Sequence, residues 1–433
     1  MKITFIGAGS TVFVRNTMGD CMLVPEFGKF EIALYDIDPS RLSDSETILK
    51  AIAKNCNDKV TVKSYLDPTE ALRGADYVIN AIQVGGYEPC TVRDFEIPKK
   101  YGLRQTIADT MGIGGIFRAL RTIPALEKYT KIMEKVCPNA LLLNYTNPMA
   151  MVTGYFQQTS PLRTIGLCHS VQSMLPSLAA WYDFPALNED GVSFKAAGIN
   201  HMCWLLEVKD KNGKDLYPAL KKQMNAHPYK SDLVRLDMMN RFGYYNSESS
   251  EHTSEYHAFY IKSRYPELIE KYNIPLDEYP RRCVNQINEW NKCRENLIKE
   301  SKMEHKMSKE YCSHILKAHY TDVPVKIYGN VINDGVIENL PRNACVEVPV
   351  LVDRNGFSKC YVGKLPEQLA ALNRSNIGCQ LMTIEAAKSH KKEDLYMAAY
   401  LDPHTAAELS MDDIKSLCDE LLAAHSDFMP KYK

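Results

Sequence analysis

Short apolar runs alternate with longer amphipathic stretches over the first 190 residues or so, and then the alternation stops. Residues 2–6, 30–35, 60–62, 77–82, 141–144 and 164–167 have the length and apolar character of buried strands. Helical spacing follows from about Thr11, over 40–53 and over 118–136. Strands alternating with helices predict a parallel sheet covered on both faces. Beyond that point an apolar strand at 203–208 is followed by polar helices at 231–242 and 280–303, and by helical patterns at 366–372 and 412–424. The expected fold class is therefore α/β: a Rossmann-like doubly wound parallel sheet over residues 1–190, then an α+β domain over residues 191–433.

Composition narrows the picture. At 433 residues the chain exceeds one ordinary core, and two domains are the natural expectation. A net charge of -1 offers no electrostatic case for nucleic acid or an anionic membrane. Neither a secretion leader nor a bilayer-spanning apolar run is expected. The 13 cysteines form no CxxC pairs, which argues for reduced thiols in a cytoplasmic protein.

Several loops carry candidate chemistry, most of them at strand ends. Gly7-Ala8-Gly9-Ser10 follows the first strand and opens a helix. Gly7 permits the turn, Gly9 admits a pyrophosphate, and the free N–H groups of the first helical turn hold the anion. Val12 stands where the fingerprint usually has a third glycine. Asp36 ends the second strand, where an acid accepts the ribose hydroxyls of NAD; capping the turn Asp36-Ile37-Asp38-Pro39 is its other reading. Asp109-Thr110-Met111-Gly112-Ile113-Gly114-Gly115 and Asn144-Tyr145-Thr146-Asn147-Pro148 are expected as polar loops at the edge a substrate would meet, with Arg93 ahead of them. Cys168-His169 closes the strand at 164–167, and His201 follows Gly198-Ile199-Asn200. A thiol and an imidazole there can be metal ligands, a nucleophile and base, or core residues. Residues 244–250, rich in Ser, Tyr and Asn, read as a loop over a polar site and lead to Tyr256, a weak base unless positive charge lowers its pKa.

Taken together, the glycine turn, the Asp109 loop, the Asn144–Pro148 loop, Gly166-Leu167-Cys168-His169-Ser170 and Gly198-Ile199-Asn200-His201 resemble glycoside hydrolase family 4 over essentially the whole chain. That family is an NAD-dependent exception to the two-carboxylate glycosidases. The resemblance implies a lactate- or malate-dehydrogenase-like fold turned to hydrolysis. NAD+ takes hydride from sugar carbon-3, a tyrosine removes the acidified proton on carbon-2, the aglycone leaves, water adds and the hydride returns. A divalent cation, Mn2+ or another, stabilises the enediolate. Carried over by position, the resemblance makes Cys168 and His201 the metal ligands, Tyr256 the base, His169 the leaving-group acid and Asp109 the residue that raises the basicity of Tyr256. It makes Asn147, Arg93 and Arg282 substrate-binding residues, and Gly7, Gly9, Ser10 and Asp36 the NAD cradle. Its nearest branch implies an unphosphorylated α-D-galactoside such as melibiose and a homodimer or homotetramer. Galacturonides, α-glucosides and 6-phospho-α-glycosides are the alternatives. An NAD-dependent hydroxy-acid dehydrogenase and a non-catalytic NAD sensor are the rivals outside the family.

Overall fold

The computed structural model describes residues 1–433. Twelve strands form one sheet: β1 (Lys2–Ile6), β2 (Glu31–Tyr35), β3 (Thr61–Tyr65), β4 (Tyr77–Asn80), β5 (Leu141–Asn144), β6 (Arg163–Gly166), β7 (Ser193–Ile199), β8 (Met202–Lys209), β9 (Tyr245–Asn246), β10 (Val325–Ile332), β11 (Cys345–Asp353) and β12 (Gly356–Lys359). The parallel part runs β3-β2-β1-β4-β5-β6. Its order reverses between β1 and β4, and ligands of doubly wound sheets bind at such a switch point. The antiparallel part, β10-β11-β7-β8-β9, continues the same sheet from β6 through a single pairing of Asn330 with Gly166. The expected α/β class holds, and the α+β half extends the first sheet instead of building its own.

Physical chemistry accounts for the elements. Ile3, Phe5, Ile32, Leu34, Ile79, Leu141 and Leu143 are fully buried, each worth about 1.5–3 kcal/mol of transfer free energy. The main core runs from Ile3 to Tyr432, so both halves of the chain share it. Asp38 caps the helix Pro39–Cys56 by accepting from Ser40 N and Arg41 N, with Pro39 in the first turn. Three expectations shift. The helix expected at 118–136 begins at Gly112, so the second half of the Asp109 loop is helical. The strand expected at 60–62 spans Thr61–Tyr65. The pattern at 366–372 opens the helix Glu367–Ser389, continued by buried Asn373, Asn376 and Gln380 whose polarity hid it. None of the helices is long and apolar enough to cross a membrane.

Candidate active site

The glycine turn lies at the switch point. Gly7 has a φ of 87°, and a Cβ there would come within 2.8 Å of the Ala81 carbonyl oxygen. The N–H groups of Gly7 and Ala8 both donate to the Tyr35 carbonyl. Asp36 Oδ2 accepts from Gly9 N at 2.6 Å, and its Oδ1 accepts from Asp38 N at 2.9 Å. Asp36 thus braces the turn, and each oxygen retains a second lone pair for a ribose hydroxyl. Ser10 precedes the helix Thr11–Met22, whose first turn has no side-chain cap and no acidic residue, leaving N–H donors for an anion. Val12 in that first turn is 51% exposed, and Ile37 and Leu66, just past β2 and β3, are 83% and 68% exposed, apolar surface suited to a flat aromatic base. These features fit a bound dinucleotide.

Cys168 follows β6, and His201 occupies the turn between β7 and β8 in a left-handed conformation with a φ of 61°. A Cβ on Gly198 would lie 2.3 Å from the Met202 carbonyl oxygen, so this tight hairpin needs its glycine. The two residues meet Glu248 from the loop after β9. One ligand atom from each, Cys168, His201 and Glu248, lies within 4.8 Å of the others. Burial raises the Cys168 thiol, but the charge of His201 outweighs it and leaves the thiol below its ordinary value. Burial likewise lowers His201, yet Glu248 and Cys168 push it up to about 10. Two anionic donors therefore share a proton on the imidazole. That donor set fits a divalent cation, which would take the proton's place.

The helix Ser250–Glu255 builds the next layer. Tyr256 at its end is fully buried, and its hydroxyl lies 2.9 Å from His201 Nδ1. Burial, then the charges of Asp109, Glu255 and Glu248, hold this phenol well above its ordinary pKa. His252 stands between Glu248 and Asp109: Nδ1 is 3.8 Å from Glu248, Nε2 is 3.6 Å from Asp109, and its ring centre is 4.6 Å from that of His201. Burial would raise the Asp109 carboxyl, but the His252 imidazole beside it and the charge of Arg118 drive it far below the carboxylate range. Glu255 accepts from Thr106 N, Ile107 N and Ala108 N at 2.9, 3.2 and 2.8 Å, and so clamps the backbone that leads to Asp109.

The structure thus gathers Cys168, His201, Tyr256 and Asp109. Asn147, beside the cis Asn147–Pro148 bond, buries an Oδ1 with no partner. His169 is half exposed, and its Nε2 lies 2.6 Å from Glu310 Oε2. Arg93 donates to the Ala424 carbonyl, and Arg282 pairs with Glu278 and Glu251. Both arginines are therefore held by the protein itself. Sequence reasoning missed Glu248, His252, Arg118 and Glu310. A signal existed for Glu248: one thiolate and one imidazole underfill a cation, and the nearest polar loop contains that acid.

Fold and site define a dinucleotide-binding α/β protein with a mixed sulfur, nitrogen and oxygen donor set beside a buried tyrosine. The chain belongs to the family 4 glycosyl hydrolases: the description "Family 4 glycosyl hydrolase" matches residues 2–183, and "Family 4 glycosyl hydrolase C-terminal domain" matches residues 196–405. An α-galactosidase of Bacillus subtilis (strain 168) is 56% identical over 437 residues, covering 100% of both chains. An α-galactosidase of Rhizobium meliloti (strain 1021) is 33% identical over 445 residues, 100% of this chain and 89% of that one. The fold matches the 6-phospho-β-glucosidase of Thermotoga maritima, solved with manganese, NAD+ and glucose-6-phosphate, with a TM-score of 0.81 and 22% identity, covering 100% of both chains.

Proposed function

We propose that the chain is an NAD- and divalent-metal-dependent α-galactosidase acting on neutral α-D-galactosides such as melibiose. The observation that carries this reading is the Cys168–His201–Glu248 cluster with the Tyr256 hydroxyl on His201. When bound, NAD+ supplies reversible hydride acceptance at sugar carbon-3, and a divalent cation such as Mn2+ supplies Lewis acidity at the carbon-2 and carbon-3 oxygens. Cys168, His201 and Glu248 hold the cation; Gly7, Gly9, Ser10 and Asp36 hold the dinucleotide. Tyr256 takes the carbon-2 proton. Burial and the surrounding carboxylates keep its phenol protonated in the unloaded site, so the positive charge of a bound cation would ready it, while the negative charge of Asp109 makes the resulting base stronger. His169 gives a proton to the leaving oxygen. Asn147, with its unpartnered Oδ1, binds substrate, and Arg93 and Arg282 bind it through the N–H donors that their protein partners leave free.

Two observations favour a neutral sugar over a 6-phosphate. The 56% identical relative bears the name α-galactosidase. Three cations beyond Tyr256 that a phosphate could use are already paired: Arg281 with Glu278, Arg282 with Glu278 and Glu251, and Lys262 with Glu408. We divide the chain near residue 190, with 1–190 carrying the cofactor and 191–433 completing the site; the family matches that end at 183 and resume at 196 support this. The 13 free cysteines favour a cytoplasmic protein, and exposed Val284 and Ile287 on the helix Glu278–Lys299 favour a homodimer or homotetramer.

The test compares kcat/KM for the 4-nitrophenyl α-galactoside, its 6-phosphate and the α-galacturonide, with NAD+, Mn2+ and a thiol reductant. The neutral galactoside should be fastest, and chelation should abolish turnover until Mn2+ is returned. Full activity of the chelated, cofactor-free protein would refute the mechanism. A preference for a charged sugar would refute only the substrate.

A further inference from the structure

The protein buries three arginines, and two have carboxylate partners. Arg121 forks onto Asp94 through Nη1 at 3.1 Å and Nη2 at 2.5 Å. Arg235 pairs with Asp232 at 2.5 Å. Arg118 is different. It is 8% exposed and forms no ion pair, and its one side-chain hydrogen bond runs from Nη1 to the Tyr279 hydroxyl at 3.2 Å. The same guanidinium lies 5.5 Å from the centre of the Tyr279 ring. A guanidinium has five N–H donors, and burying the charge without partners is costly. None of its nitrogens is sealed from solvent without a partner, so the unspent donors open onto accessible space. Asp109 stands close by: Tyr279, whose hydroxyl accepts from Arg118, donates its backbone N–H to the Thr106 carbonyl at 3.0 Å, three residues before Asp109. Thr110 Oγ1 donates to Asp109 Oδ1 at 2.8 Å, and no ion pair joins Asp109 to Arg118, although the two charges stabilise each other.

We propose that Arg118 is a specificity-determining residue of the sugar site, and that together with Asp109 it reads one galactose hydroxyl remote from the metal, at carbon-4 or carbon-6. This rests on the galactosidase reading above. The chemistry selects the occupant. Arg118 offers only donors and ionised Asp109 only acceptors, so the group between them must accept one hydrogen bond and donate another. A hydroxyl does both. A carboxylate or phosphate would satisfy Arg118 but be repelled by Asp109. An unspent arginine otherwise attracts anions; the facing carboxylate turns it toward a neutral sugar.

The test is a cycle between protein and substrate on the NAD- and Mn2+-loaded enzyme. Wild type, Arg118→Lys and Arg118→Met are compared on the 4-nitrophenyl α-galactoside and on its 4-deoxy and 6-deoxy analogues, with NAD+ affinity measured by calorimetry as a control for folding. A charged hydrogen bond is worth about tenfold to a hundredfold in kcat/KM, and Arg118→Met should lose that factor on the parent sugar. On one of the two deoxy analogues the variant and wild type should differ by less than about threefold, because the contact is already gone. Arg118→Lys, which keeps the charge but not the fork, should fall between them. Equal losses on all three sugars would overturn the proposal, as would a loss of NAD+ affinity in Arg118→Met or Arg118→Lys. So would a faster α-galacturonide whose advantage disappears in Arg118→Met, since Arg118 would then be a carboxylate clamp. A wild-type enzyme inactive on every galactoside would instead refute the galactosidase reading.

Discussion

Replacing Glu248 by glutamine removes one negative charge from the metal cluster and keeps the side-chain volume. Glu248 is the third donor of the Cys168–His201–Glu248 set. Burial raises its carboxyl, but the charges of His201 and His252 overcome this and keep it ionised. Changing residues that merely orient metal ligands usually costs 10–100-fold in affinity, so a direct anionic donor should cost more. We expect the Kd for Mn2+ to rise by at least about 10²-fold, roughly 2.7 kcal/mol. A partial offset is built in: Glu248 also helps hold the proton on His201 that a cation must displace, so the variant imidazole gives up that proton more easily. Titrating free Mn2+ by its paramagnetic resonance signal, with NAD+ affinity as the folding control, measures the effect. A Kd within about threefold of wild type, while Cys168→Ser weakens binding strongly, would remove Glu248 from the site.

Tyr256→Phe should keep NAD+ and Mn2+ affinity but lose about 10²- to 10⁴-fold in kcat, and wild-type turnover in heavy water should leave deuterium on carbon-2 of the released sugar, read by mass spectrometry. Glu255→Ala would leave the N–H groups of Thr106, Ile107 and Ala108 unpaired; urea denaturation should show a loss of about 3 kcal/mol or more, with a smaller loss for Glu255→Gln. Burial lowers His257 from 6.5 to about 4, and its Nε2 has no partner. The unfolded chain therefore binds this proton first as pH falls, so stability present above about pH 6.5 is lost toward pH 4, by about 3 kcal/mol. His257→Gln should flatten that part of the acid limb in urea midpoints measured from pH 7.5 to 4.

What the sequence made legible depends on whether a residue's task is local or long-range. The glycine turn, Asp36 and the six parallel strands are written in consecutive residues, because a strand, a tight turn and a helix N-terminus are local structures. The Cys168 and His201 loops could be found singly, since each ends an apolar run. Glu248 could not, because its membership depends on β9 laying the 244–250 loop against two distant turns, and a surface glutamate in a polar loop looks the same whether or not it faces a thiolate. The same limit applies to arginines. Arg93 and Arg282 drew notice through the family spacing, but their guanidiniums are held by a helix-end carbonyl and by two glutamates. Arg118 sits in a helix whose apolar pattern marks it as core-facing, and nothing in the string of letters says that its carboxylate partner is missing. A buried cation becomes informative only when its neighbours are counted. Asp94 cancels Arg121 and Asp232 cancels Arg235, but no carboxylate in the folded chain forms an ion pair with Arg118. That unspent charge is the kind of local cost a fold retains when a ligand supplies the missing partner.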